Sequence, residues 1–296
     1  MACRFVTEAL IEIAGDGLSA AINPFGAELT WLRDGEGRDL MTDADPAFWT
    51  GHAPILFPIV GRLNGDVLRI DGVEYPMKQH GFARRMAFAV TAHEADHANF
   101  RLTDSPETRA AYPFPFVLEI GFAIEGATLM MRATITNPGA VPLPASFGWH
   151  PAFAWPLPYG HLKEAHRVTF STDEPDPLWE VADGLIVAAR PPSPLEGRVL
   201  SLDDSLFEHD ALIWDPVRSD RVSYGAPHGP ALEVTFPDTP QLGIWTKPGA
   251  RFLCIEPWHG HADPQGFAGE FRDKPGIFEI APGDDWQCSV SVTLRD

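Results

Sequence analysis

Apolar residues recur at every second position along much of this chain, a period that dictates extended strands with one face turned to a core. In residues 117–124, Leu118, Ile120, Phe122 and Ile124 fall on one face. The chain turns at Glu125-Gly126 and the pattern resumes with Leu129, Met131, Ala133 and Ile135. Together these runs predict a long hairpin with one buried side. Near the C-terminus Trp286, Cys288, Val290, Val292 and Leu294 repeat the alternation. Residues 67–70 and 73–77 flank Asp71-Gly72, a dipeptide suited to tight hairpin turns. Shorter runs at 232–236, 242–245 and 252–255 are bounded by Pro or Gly.

Three-turn amphipathic helices are missing from the pattern. Residues 44–49 and 106–111 have the length of single turns, the second with Ser105 placed to cap it. The 29 prolines and 26 glycines are spread through all 296 residues, so no linker stands out. The expectation is an all-β fold, a large antiparallel β-sandwich or barrel with few short helices. Residues 1–296 are read as one domain, with chemistry carried on strand ends and loops. The stretch 175–200, with Pro191, Pro192 and Pro194, reads as a surface excursion without a function.

Charge narrows the partners. Against 41 acidic residues stand 22 basic ones, a formal net charge of −19. Nucleic-acid binding depends on Lys and Arg neutralising phosphates, so neither nucleic acid nor an anionic membrane is expected. A few arginines in a cleft can still hold an anionic small molecule against the global field. Cys3, Cys254 and Cys288 make an odd set without a CxxC pair, which speaks against a disulfide framework and a thiolate zinc site. Glu8, Glu12 and Asp16 interrupt the N-terminal region where a secretory signal needs an apolar core. No stretch approaches the roughly 18–20 apolar residues of a membrane helix. A cytoplasmic location is expected.

Three segments put polar side chains into apolar, aromatic surroundings. The first, from Pro54 to Arg85, offers Arg62, Lys78, His80 and Arg84 beside Phe57 and Phe82. The second is FGWHPAF, with His150 between Trp149 and Pro151. In the third, FLCIEPWHGHAD, Glu256 follows four apolar residues. A carboxyl at the end of such a strand is partly desolvated, which raises its pKa and suits a general base near neutral pH. The alternative is an ion pair that ties two loops together. His150 is either a catalytic imidazole or a buried ring satisfied by a carbonyl, and Gly81 lets a ligand approach His80 closely. His259 and His261 share a face in an extended strand, yet no HExxH spacing accompanies them and no metal is expected.

The order and contents of these segments resemble the aldose 1-epimerase (galactose mutarotase-like) family, over about Gly26 to the final strand. The fit is to a shorter branch carrying the HGFAR string, His80 to Arg84. Arg62 in VGRLNG looks like the family's sugar-binding arginine, and His80-Gly81 matches its histidine-glycine pair. His150-Pro151-Ala152-Phe153 and Ile255-Glu256-Pro257-Trp258 match its later landmarks, with Asp263 following. Phe147 stands where the family has an asparagine, and Asp210 in EHDALIW is the best match to its sugar-contacting aspartate.

The resemblance implies anomer exchange of an aldose, with Glu256 as base and His150 as acid. Free Glu and His titrate at about 4.3 and 6.5, so modest shifts leave the first ionised and the second protonated around neutral pH. Arg62, His80, Arg84, Asp210 and Trp258 would bind substrate, without cofactor or metal, in a monomer or homodimer. A hexose 6-phosphate gripped by Arg84, Arg85 or Lys78 is the alternative substrate. A non-catalytic carbohydrate-binding domain is the alternative class, and a glycoside hydrolase would need a second carboxylate.

Overall fold

The structure, a computed structural model, describes residues 9–237 and 239–296. Cys3 and the acidic residue Glu8 of the N-terminal reading lie outside the described residues.

The predicted hairpin forms as strands Val117–Glu125 and Thr128–Thr136, which pair antiparallel with Leu129 opposite Ile124 and Ile135 opposite Leu118. Strand Asp285–Arg295 lies along the other edge of Thr128–Thr136, Trp286 opposite Ile135. These belong to a nine-stranded antiparallel sheet that runs from Val199–Ser201 at one edge to Ala89–His93 at the other. A second, six-stranded sheet contains Leu212–Trp214, Gln241–Trp245, Phe252–His259, Phe147–Trp149, Ile55–Leu56 and Ala152–Ala154. One apolar core joins the two, with Leu118, Ile120 and Ile135 from the first and Leu242, Leu253 and Ile255 from the second. The Phe147 and Trp286 rings meet across it at 5.7 Å. The fold is the expected large antiparallel sandwich.

Strand Phe252–His259 is buried on both faces except at its last residue. Its odd positions Leu253 and Ile255 enter the main core, while Cys254 and Trp258 belong to smaller apolar clusters. The period of two therefore sends Cys254, Glu256 and Trp258 to the opposite side of the sheet. Neighbouring strands obey the same rule: Phe147, Trp149, Leu242 and Ile244 face the core.

The sequence reading ended this strand at Ile255, but it continues through Pro257. The Ile255 N–H donates to the Pro151 carbonyl, so by strand alternation Pro257 points to the same side. In the register shared by Phe147–Trp149 and Ala152–Ala154, Pro257 stands opposite Trp149, so its missing N–H falls at the end of the first of these strands.

The helical readings are met at their small scale. Pro106–Arg109 is a single turn with Ser105 and Thr108 capping one another reciprocally. At 44–49 the amides of Phe48 and Trp49 both bond to the Asp45 carbonyl, a turn and not a helix. Among the described residues no helix is long and apolar enough to cross a membrane. The excursion at 175–200 carries a small hairpin, Val181–Ala182 with Leu185–Ile186.

Phe57, Phe82, Tyr112 and Phe116 form one ring cluster, Phe116 being 5.1 Å from Phe57 and 5.9 Å from Phe82. This cluster backs the loops at 57–62 and 79–84. Phe116→Ala is expected to lower stability by about 3–5 kcal/mol, read as an earlier urea midpoint.

Candidate active site

A cleft of about 780 Å³ opens over the outer face of the six-stranded sheet. Its floor holds His150, Glu256 and Trp258, and its walls include Trp49, Trp245, His80 and Arg84. Small residues make the room for Trp258. A Cβ on Gly148 would stand 2.6 Å from its ring, and one on Gly243 likewise 2.6 Å.

His150 and Glu256 come from separate chain segments and meet with Nε2 3.2 Å from Oε2. Both are buried, at 7% and 2% exposure, although both line the cleft. Trp49 stacks on the His150 ring at 5.0 Å and 24°, and Trp245 meets it edge-on at 6.0 Å. Burial pushes the Glu256 carboxyl well above the usual carboxylate range; the charge of Asp210 adds to this and the Trp258 indole opposes it. Burial drives His150 down to about 3, the Arg84 cation adding to the effect and its own backbone carbonyl opposing it.

Those directions run against the expected charge state. An ionised carboxylate beside a protonated imidazole is disfavoured because both ions would be desolvated. Each shift favours the uncharged form of its group over an ion pair. His150 Nδ1 and Glu256 Oε2 have no hydrogen-bond partner in the protein.

His80 sits at φ 64 and Gly81 at φ 69. A Cβ on Gly81 would lie 2.1 Å from the Phe57 carbonyl oxygen, so only glycine fits. The backbone N–H of Gly61 donates to His80 Nδ1 at 3.2 Å, which places the neutral ring's proton on Nε2, where the Gln79 side-chain amide lies at 3.3 Å. Burial keeps that ring well below the ordinary imidazole pKa, and it meets His150 edge-on at 5.8 Å. His80 Nε2 thus meets the Gln79 side-chain amide beside the pair.

Arg84 lines the cleft too. Its Nη2 donates to the Gln79 carbonyl at 3.2 Å, while Nε is buried without a partner. Burial lowers its pKa to about 10, so it stays cationic at neutral pH. Asp210 lies across the cleft at φ 78 with Oδ1 accepting from the Ala211 N–H. Partial desolvation raises its pKa.

Other candidates are placed elsewhere. The Arg62 guanidinium is held by Asp66 at 2.8 Å and by the Asp183 carbonyl at 3.3 Å, beside the cleft and outside its lining. Asp263 is buried and accepts from the Asn64 backbone N–H at 2.8 Å, tying two loops together. Lys78 and Arg85 do not line the cleft. The HGH rings diverge: His259 packs on Trp286 at 4.8 Å, whereas His261 stacks on Trp179 at 6.1 Å. His150, Cys254 and Glu256 are the group able to share a metal ion among the described residues, their ligand atoms all within 4.8 Å.

Sequence reasoning missed Trp49, Trp245, Lys247 and the segment from Glu180 to Gly184, all of which line the cleft. The excursion dismissed as functionless thus supplies a wall. Trp245 was within reach of a strand-register argument, since it shares its face with Gly243. The other three depend on tertiary contacts.

The ring nitrogens of His150 in the free protein should keep neutral chemical shifts from about pH 7 to 5, whereas an unperturbed imidazole titrates around 6.5. A midpoint near that ordinary value would contradict the assignment. In the folding balance the sign follows: below 6.5 the unfolded chain gains a proton that folded His150 refuses. Its contribution is thus lost progressively as pH falls from 6.5 toward about 3.

A family described as aldose 1-epimerase matches residues 9–278. The plasmid and chromosomal forms of protein LacX from Lactococcus lactis subsp. lactis are each 30% identical over 297 residues, covering 96% of this chain and 99% of theirs. A galactose mutarotase related enzyme from Lactobacillus acidophilus superposes with a TM-score of 0.91 at 30% identity, covering 97% of this chain and 98% of that one. A galactose mutarotase-like protein from Lactobacillus casei gives 0.88 at 26% identity, covering 97% and 100%. With the match running across nearly all of the sequence and the same sandwich beneath it, this chain belongs to the aldose 1-epimerase family.

Proposed function

We propose that the protein interconverts the α and β anomers of a free aldose, with His150 and Glu256 as its acid–base pair. The observation that carries this reading is the 3.2 Å contact of an imidazole and a carboxyl at the floor of an open cleft. Opening a pyranose requires one proton to leave the C1 hydroxyl and another to reach the ring oxygen. The C1–O5 bond breaks, C1 becomes an aldehyde, and rotation about C1–C2 precedes closure on the other face.

One proton shared by two groups suffices for this cycle. Its transfer from Glu256 to His150 creates the carboxylate that takes the C1 hydroxyl proton and the imidazolium that supplies the ring oxygen. The pair is then back in its neutral form, which is also the form matched to closure: the carboxyl protonates the aldehyde oxygen as the ring takes the C5 hydroxyl proton. No proton need enter from solvent. His80 Nε2–H and Arg84 supply donors to sugar oxygens, and the faces of Trp49, Trp245 and Trp258 suit the C–H surfaces of a pyranose.

The rim favours an uncharged sugar. Glu180, Asp183, Glu208 and Asp210 line the cleft against the cations Arg84 and Lys247, and excess carboxylate repels a phosphate. The unpartnered Nε of Arg84 is the observation that favours a 6-phosphate instead. Rates on glucose and galactose are expected to exceed those on their 6-phosphates, and the reverse order would select the phosphorylated substrate.

Glu256→Gln preserves the shape of the pair without its proton chemistry. It should keep sugar binding and slow anomer exchange by about 10²–10⁴-fold, the usual worth of one acid–base group. Polarimetry on fresh α-glucose reads the rate. Unchanged exchange would overturn the mechanism, and sugar binding without any exchange in the native protein would identify a carbohydrate-binding domain.

A further inference from the structure

Beneath the pair lies a group that the proton chemistry does not use. Cys254 precedes Glu256 by two residues on one strand and so shares its face, with its side chain buried. His150, Cys254 and Glu256 bring an imidazole nitrogen, a thiol sulfur and a carboxylate oxygen within 4.8 Å of one another. Glu256 Oε2, which makes no hydrogen bond in the protein, faces His150 from 3.2 Å.

We propose that these residues form a capture site for a thiophilic divalent cation, zinc or cadmium, reached through the cleft, and that capture silences the acid–base pair. Zinc takes nitrogen, sulfur and oxygen ligands at about 2.0–2.3 Å in a tetrahedron, which sets neighbouring ligand atoms about 3.3–3.7 Å apart. The His150–Glu256 contact already has that spacing, and the sulfur has about an ångström to close. His150 and Glu256 line the cleft, so an ion held between them would be reached by water from that side.

Charge balance favours the site. On binding, the thiol and the carboxyl each release a proton, and a dication with thiolate, carboxylate and neutral imidazole is uncharged overall. Such an assembly tolerates the apolar surroundings of Phe252 and Trp49 better than a bare ion would. One thiolate and one imidazole also select against magnesium and calcium, which need several oxygen ligands. The bound ion would occupy the lone pairs that anomer exchange requires. This inhibitory arm rests on the proposed function, while the binding arm does not.

Cadmium titration in the ultraviolet tests it, in a Cys3→Ala background that leaves Cys254 and Cys288 as the thiols. A thiolate-to-cadmium charge-transfer band is expected in this protein and in Cys288→Ala, and it should vanish in Cys254→Ala and in the closer isostere Cys254→Ser. Unchanged circular dichroism in the serine variant excludes misfolding as the cause. The zinc concentration that halves anomer exchange should rise by more than about 100-fold in Cys254→Ser, since losing an outer-shell partner alone costs about 10–100-fold. A band that survives both Cys254 substitutions, or no band at all, would overturn the site. A Cys254-dependent band in a protein that exchanges no anomers would uphold the site and refute the proposed function.

Discussion

Removing water from the contact between His150 and Glu256 is the constraint on which the site depends. In solvent an imidazole and a carboxyl at neutral pH form an ion pair for much of the time. Enclosed by Trp49, Trp245 and the strand beneath them, neither ion is well solvated, and burial shifts each group toward its uncharged form. An acid–base catalyst that works in both directions benefits from that arrangement, since neither partner is locked into one charge.

The sandwich makes the enclosure possible. A strand buried on both faces can give one face to the core and the other to chemistry, and Phe252–His259 does so by simple alternation. The strand break at His150-Pro151 opens the neighbour of Glu256, leaving room for the imidazole where a continuous strand would have put a ladder. The floor is thus built from rigid sheet, whereas the carboxylate-rich walls come from loops.

Much of this was legible in the sequence. The alternation at 117–124 and 286–294 predicted the sheets because burial on one face leaves a period of two that nothing else produces. Glu256 and His150 stood out for a related reason: polar side chains embedded in aromatic, apolar runs conflict with the local pattern. His80 was marked by Gly81, whose positive φ and lack of a Cβ the Phe57 carbonyl requires. Arg62 shows what a motif leaves out: Asp66 four residues on pairs with its guanidinium, a local contact that the match did not weigh. The wall at 180–184 was invisible for another reason: long-range pairings such as Trp179 with Ile213 and Ile186 with Pro264 bring that excursion over the cleft. The charge state was read from free-residue pKa values with modest shifts, whereas full burial of both groups, a tertiary property, moves them further.

The central claim is that the free pair holds a single proton and that Glu256 carries it. Infrared difference spectroscopy between the native protein and Glu256→Gln at neutral pH reads this directly, since a protonated carboxyl has a C=O stretch well separated from the carboxylate bands. The account predicts loss of a protonated-carboxyl band in the variant. A difference spectrum with only carboxylate bands would mean that Glu256 is ionised at rest, and the single-proton description of the site would be wrong.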